Sequence, residues 1–283
     1  MNINDFRKIV NSNIKADKIE LKKFILGKLS NLPIPTVQVN TNTYIERAVI
    51  ISKDKEKFNL DRLSYIPEKL KGLVKEGRFN NASEPIFYAA FTDLEFPSAT
   101  RYFLATELDH SLLKKQNKTF NITITKWLSN NGFTSIFFVF KDNYCTNSLT
   151  KNAFKKITNS KEYKEISIED KEFIELITDE LAKSQSANNY TITNIVFDFY
   201  KEKGYKSIIY PGVRSRYRGN NIAMLPDVID ENWNCKFGAE FKLTQNEDNI
   251  NVEAIYYIDI NENKLLYRYF EDDEIGEEIS IDK

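Results

Sequence analysis

The side chains best equipped for chemistry in this sequence are arginines set in apolar or turn-like surroundings. Arg47 sits in Tyr44-Ile45-Glu46-Arg47-Ala48, among β-branched and apolar residues. A cation in such a strand calls for a specific anion, because charged side chains are seldom buried unpaired. Arg78 follows a glycine in Glu76-Gly77-Arg78-Phe79-Asn80. It either grips phosphate through its planar fork or pairs with a neighbouring acid in the turn. Arg214, Arg216 and Arg218, with Tyr217 among them, form a local basic cluster just before Gly219-Asn220. That cluster reads as a phosphate clamp, a surface for nucleic acid or an acidic partner, or a solvated loop; the Gly-Asn pair favours a loop at the edge of a site. The single histidine, His110, follows Asp109 near the end of an expected helix, where a solvated role is favoured over that of a base. One histidine removes His-based metal cages and argues against a Ser-His-Asp triad. Cys145 and Cys235 match no zinc spacing and read as two reduced thiols. Neither Gly-x-Gly-x-x-Gly nor a Walker loop is present, so Rossmann and P-loop nucleotide binding are not supported.

The elements that must position these groups follow from periodicity. Residues 3–29 carry apolar positions at helical spacing, with Asn4 or Asp5 able to cap the start and Gly27 near the stop, and read as two short helices packed on the main body. Pro33 and Pro35 mark 30–40 as a linker. Tyr44–Ser52, Ile86–Phe91 and Phe120–Trp127 read as strands, and Ser98–Leu113 as a helix opened by Pro97. Ser135–Phe140 is a short apolar run that strand and buried helix explain equally. Ile168–Lys183 and Ile192–Lys203 are helices, the second stopped by Gly204. Ser207–Tyr210, Ile222–Leu225, Cys235–Leu243, Val252–Ile260 and Leu265–Phe270 are strands, with Asn261-Glu262-Asn263 as the last turn. The acidic tail from Glu271 is expected to fray. Strands and helices intersperse without a βαβ rhythm, which predicts an α+β fold.

With 283 residues and 41% hydrophobic content, the chain can fill one large core with an appendage, here 1–40 against a domain over 41–283. Forty basic residues balance forty-one acidic ones, so no global surplus asks for nucleic acid or an anionic membrane. The charged N-terminus lacks a signal-peptide apolar core, and no stretch approaches a membrane span. The expectation is a soluble, cytoplasmic protein.

Four segments, in order over about residues 41–230, resemble the RES family. Tyr44-Ile45-Glu46-Arg47-Ala48 resembles its opening strand with an arginine. Leu63-Ser64-Tyr65-Ile66-Pro67-Glu68, Gly77-Arg78-Phe79-Asn80 and Pro85-Ile86-Phe87-Tyr88-Ala89-Ala90 are similar to its "YIPE" stretch, its "GR-aromatic-N" turn and a strand ending in tyrosine. Pro97 to Thr106-Glu107-Leu108 looks like the helix bearing its glutamate. Ile208-Ile209-Tyr210-Pro211-Gly212-Val213-Arg214 and Gly219-Asn220-Asn221-Ile222-Ala223 resemble its serine-bearing segment.

The resemblance implies an ADP-ribosyltransferase-like fold: a mixed, bent β-sheet pair around a cleft, flanked by helices. It implies cleavage of NAD between nicotinamide and ribose, with NAD as substrate and no metal. Arg47 matches the family's arginine and Glu107 its glutamate, with Glu95 as the rival. Glu107 would stabilise the ribosyl cation and orient the 2′-hydroxyl, as a carboxylate does in glycoside cleavage. Arg47 and Arg78 would hold the pyrophosphate, and Tyr88 would stack on nicotinamide or ribose, with a weaker claim of that kind for Tyr65. Gly212 stands in the family's serine position, a departure that weakens the implied activity, and Ser215 is the substitute nearest in sequence. The resemblance also allows a protein antitoxin as partner, or a macromolecule that accepts ADP-ribose.

Overall fold

The computed structural model describes residues 1–51, 63–92, 97–108, 118–183, 188, 190–212, 219–246, 249–261, 264–269 and 275–280. Its helices are α1 (Ile3–Asn11), α2 (Lys18–Ser30), α3 (Pro97–Leu108), α4 (Ser148–Thr158), α5 (Lys161–Glu165), α6 (Ile168–Leu181), α7 (Thr191–Glu202) and α8 (Pro226–Asn232). Its strands are β1 (Thr36–Val39), β2 (Tyr44–Ile51), β3 (Phe87–Phe91), β4 (Lys118–Ser129), β5 (Phe133–Phe137), β6 (Ser207–Pro211), β7 (Asn220–Met224), β8 (Trp233–Asn246), β9 (Asn249–Asn261), β10 (Lys264–Tyr269) and β11 (Ile275–Ser280). The fold is α+β. The strands form one mixed sheet in the order β1-β5-β6-β7-β3-β2-β4-β8-β9-β10-β11. Where the resemblance implies a pair of sheets, hydrogen bonding is continuous across the eleven described strands.

Among the described residues, only the β5–β6 pairing is parallel. A parallel pair needs a long crossover, and α4 to α7 supply it. β6 and β7 are buried at every position, as strands covered on both faces must be. The helix ends follow local rules. Asn2 and Asp5 make a reciprocal capping box at α1, Ser167 caps α6, and α7 closes on Gly204 at φ +87°. One large core joins the crossover helices to β5, β6 and β7, while a smaller one holds Phe103, Leu104 and Ala105 of α3 against Ala48, Ala90, Ile122, Ile124, Ala239 and Phe241.

Helices α1 and α2 pack on the body as expected, within its main core: Phe6, Val10, Leu21 and Ile25 are buried there, and Phe6 sits 5.5 Å from the Phe173 ring. Two readings need correction. The 30–40 stretch is more than a linker. After Pro35 ends the helical pattern, the alternating, β-branched Thr36–Val39 pairs with β5. The acidic tail also holds a strand, because Ile275 and Ile279 recur at sheet spacing and align with β10 despite the charges between them. The ambiguous run at 135–140 resolves as β5, ending at Phe137. The turn at Glu262 and Asn263 lies outside the described residues. Among the described residues, no helix is long and apolar enough to cross a membrane, and no group of three or more His, Cys, Asp or Glu is placed to hold a metal.

Candidate functional site

The Gly77-Arg78-Phe79-Asn80 turn and Tyr88 form one hydrogen-bonded unit. The Tyr88 hydroxyl accepts from the Phe79 N–H at 3.0 Å and donates to Asn80 Oδ1 at 2.9 Å. Asn80, 4% exposed, donates its amide to the carbonyls of Lys75 and Asn81. Gly77 is required here, because a Cβ would lie 2.5 Å from Asn80 Oδ1. The turn aims Arg78 at the end of α6, where Nη1 donates to the Leu181 carbonyl at 2.6 Å and Nη2 to the Lys183 carbonyl at 2.8 Å. Arg78 thus satisfies carbonyls that a helix end leaves open. Its fork is spent on backbone, neither on the neighbouring acid nor on an open phosphate cradle.

Around this unit the fold collects further polar groups. Tyr210 of β6 packs edge-on against Phe79, ring centroids 4.7 Å apart, and its hydroxyl bonds to the Asn221 side chain of β7. Burial drives the Tyr210 hydroxyl well above the usual tyrosine range; the charges of Arg78 and Glu107 also act on it, in opposite directions. Burial likewise raises Tyr88, partly offset by the Phe79 N–H and by Arg78 and Arg47. Three side chains named from sequence, Arg78, Tyr88 and Glu107, therefore share one electrostatic neighbourhood with Tyr210. Glu107 itself is half-buried.

Arg47 approaches from the other side of the sheet. Along β2, Ile45 and Arg47 share one face while Glu46 and Ala48 share the face toward α3. The Arg47 guanidinium lies 5.1 Å from the Phe87 ring, with Nη1 donating to the Tyr88 carbonyl at 2.9 Å. Burial lowers its pKa to about 10, so it stays cationic at neutral pH, and its buried Nε has no hydrogen-bond partner among the described residues.

Gly212 does not leave room for the expected serine. A Cβ there would meet the Phe103 ring at 2.3 Å and the Gly219 carbonyl at 2.7 Å, and Gly219 itself is pressed under the same ring. The Gly212 N–H bonds back to that carbonyl at 2.8 Å. Phe103, 2% exposed, has taken the volume a side chain would need. Gly212→Ser is therefore expected to destabilise the fold by about 1–3 kcal/mol through overpacking, measured by urea unfolding, rather than to restore function.

Tyr65 points elsewhere: its hydroxyl lies 2.9 and 2.7 Å from the two carboxylate oxygens of Asp230 in α8. Ser215, Glu95, Asp109, His110, Arg214, Arg216, Tyr217 and Arg218 lie outside the described residues. Both cysteines are free, and burial pushes each thiol up to about 12, which makes them poor nucleophiles at neutral pH. Three groups escaped the site reading although their segments were noticed: Tyr210, Asn221 and Glu46. Only strand register shows that they share a face.

A separate cleft of about 570 Å³ opens between the β1–β2 turn, the end of β3 and the start of α4, lined by Asn42, Tyr44, Thr92, Asn147, Asn152 and Lys156 among others. None of the described candidate residues lines it. No protein-family model matches the chain, and no curated protein matches it either.

Proposed function

We propose that the chain binds NAD and cleaves its bond between nicotinamide and ribose, with water or phosphate as acceptor. One observation carries the reading: Arg78, Tyr88 and Glu107, drawn from separate stretches of sequence, each act electrostatically on the buried Tyr210. In the reaction the C–N electron pair leaves with nicotinamide, positive charge develops on the ribose, and the acceptor adds to the anomeric carbon and loses its proton. Glu107 stabilises the developing charge. Arg47, on the opposite face of β2, supports the site from behind through the Tyr88 carbonyl, while Arg78 contributes a fixed positive charge and holds the turn. Transfer of ADP-ribose to a macromolecule would use the same donor site; a labelled band after incubation with labelled NAD and lysate separates that outcome from hydrolysis.

A second reading, a nucleotide-binding module without turnover, is favoured by one feature: Phe103 occupies the volume above Gly212. The test is an enzymatic cycling assay for NAD with purified protein, run in phosphate and in lysate. NAD loss supports the enzyme. Binding of NAD without loss favours the module.

A further inference from the structure

Register decides which β2 residue faces α3, and it is Glu46 rather than Arg47. Cross-strand partners lie on one face of a sheet. One row of partners runs from Tyr210 on β6 through Asn221 on β7, Ala90 on β3 and Glu46 on β2 to Lys126 on β4. Glu46 is 1% exposed, and among the described residues neither carboxylate oxygen has a hydrogen-bond partner. Two cations act on it without bonding to it, Arg101 from α3 and Lys126 from β4. Each is drawn instead to an aromatic face: Arg101 lies 5.4 Å from the Phe241 centroid, its Nε without a hydrogen-bond partner among the described residues, and Lys126 lies 4.5 Å from the Tyr44 centroid. A buried carboxylate with no hydrogen bond works against stability, and such violations of local rules are expected where function requires them.

We infer that Glu46 is a ligand-contacting carboxylate of the same site, its two oxygens accepting the vicinal hydroxyls of a ribose. The inference rests on the NAD reading above. The surrounding charges select the ligand chemistry. Arg101 and Lys126 already supply two positive charges, so a cationic ligand group is disfavoured, and a phosphate is repelled by the carboxylate itself. Neutral O–H donors remain, and a vicinal diol presents two of them to one carboxylate. Asn221 and Tyr210 continue the row with neutral hydrogen-bonding groups at two and three strand spacings, roughly 10 and 14 Å from Glu46. A nucleotide with its ribose on Glu46 would lie along that row toward Tyr210, which feels the charge of Glu107. Glu46 lies under α3, so the ligand reaches it by displacing the Arg101 side chain from Phe241.

The test combines thermal melting with calorimetric titration of ADP-ribose, and of two analogues in which one or the other ribose lacks its diol. The proteins are wild type, Glu46→Gln and Glu46→Met. The expected result is that both variants melt at higher temperature than wild type while ADP-ribose binding weakens about tenfold to a hundredfold. One deoxygenated analogue binds wild type as weakly as ADP-ribose binds Glu46→Gln, and the variant does not discriminate the two ligands. Burial raises the Glu46 pKa, so the charged form costs stability that grows as pH rises above the ordinary value of 4.5. The melting gain is therefore present at neutral pH and shrinks toward pH 4, with Arg101, Lys126 and Tyr44 as the other charged or titratable groups facing that position. Unchanged ADP-ribose affinity in both variants overturns the inference and leaves the NAD reading standing. Lower melting temperatures in both variants also overturn it, because Glu46 would then be a structural anchor for its two cations. If wild type binds neither ADP-ribose nor NAD, both readings fall together.

Discussion

Glu107→Gln is expected to consume NAD about 10²–10³-fold more slowly than wild type, with little change in melting temperature. The substitution keeps the shape of a half-buried side chain while removing its charge and turning one acceptor oxygen into a donor. Removing one group that stabilises transition-state charge typically costs that factor. The ground state gains less from this carboxylate than the ribosyl cation does, so the loss should fall on kcat more than on KM. The assay is NAD remaining over time at saturating substrate, with circular dichroism to check the fold. Equal consumption by wild type and variant would remove Glu107 from the chemistry and make Glu95→Gln the next measurement. A variant that loses its fold as well would show that Glu107 holds α3 rather than the substrate.

Asn220→Ala is expected to destabilise the protein by roughly 3–5 kcal/mol, the largest stability effect anticipated for a single polar side chain here. Asn220 is 1% exposed, in the middle of the long-range polar contacts between β7 and the segment that starts α4. Its Oδ1 accepts from the Thr146 N–H at 3.0 Å, the Thr146 hydroxyl at 2.7 Å and the Thr150 hydroxyl at 2.8 Å. Its Nδ2 donates to the Tyr144 carbonyl at 2.8 Å. Alanine strands several buried donors and one acceptor at once, and unmade buried hydrogen bonds cost more than made ones contribute. Asn220→Asp keeps the acceptor but loses the Tyr144 bond and buries a charge, so it should fare no better. Chemical denaturation read by tyrosine and tryptophan fluorescence measures both. A loss below 1 kcal/mol for Asn220→Ala would mean that water replaces these bonds and that the hub does not hold α4 to the sheet.

The sequence alone carried the α+β class and most of the elements near the site. The strand at Tyr44, the helix opened by Pro97 and the helix stopped by Gly204 follow from local rules: period, preorganised φ, and a residue that tolerates φ +87°. Gly77, Asn80 and Tyr88, close in sequence, make a single hydrogen-bonded turn together. What each motif side chain touches was not legible. Arg78 carries the residue type of a phosphate ligand, but its partners are the carbonyls of a helix end about a hundred residues later in the chain. Gly212 looked like a missing serine until Phe103, a residue of another element, proved to fill its space. The exchange of Arg47 for Glu46 on the α3 face is the sharpest case. Neighbouring residues of a strand point to opposite sides, so only register and the placement of α3 decide which of the two meets the polar row with Asn221 and Tyr210. Local sequence specifies which way the chain turns; contacts between segments far apart in sequence decide what each side chain meets, and those contacts exist only once the sheet has assembled.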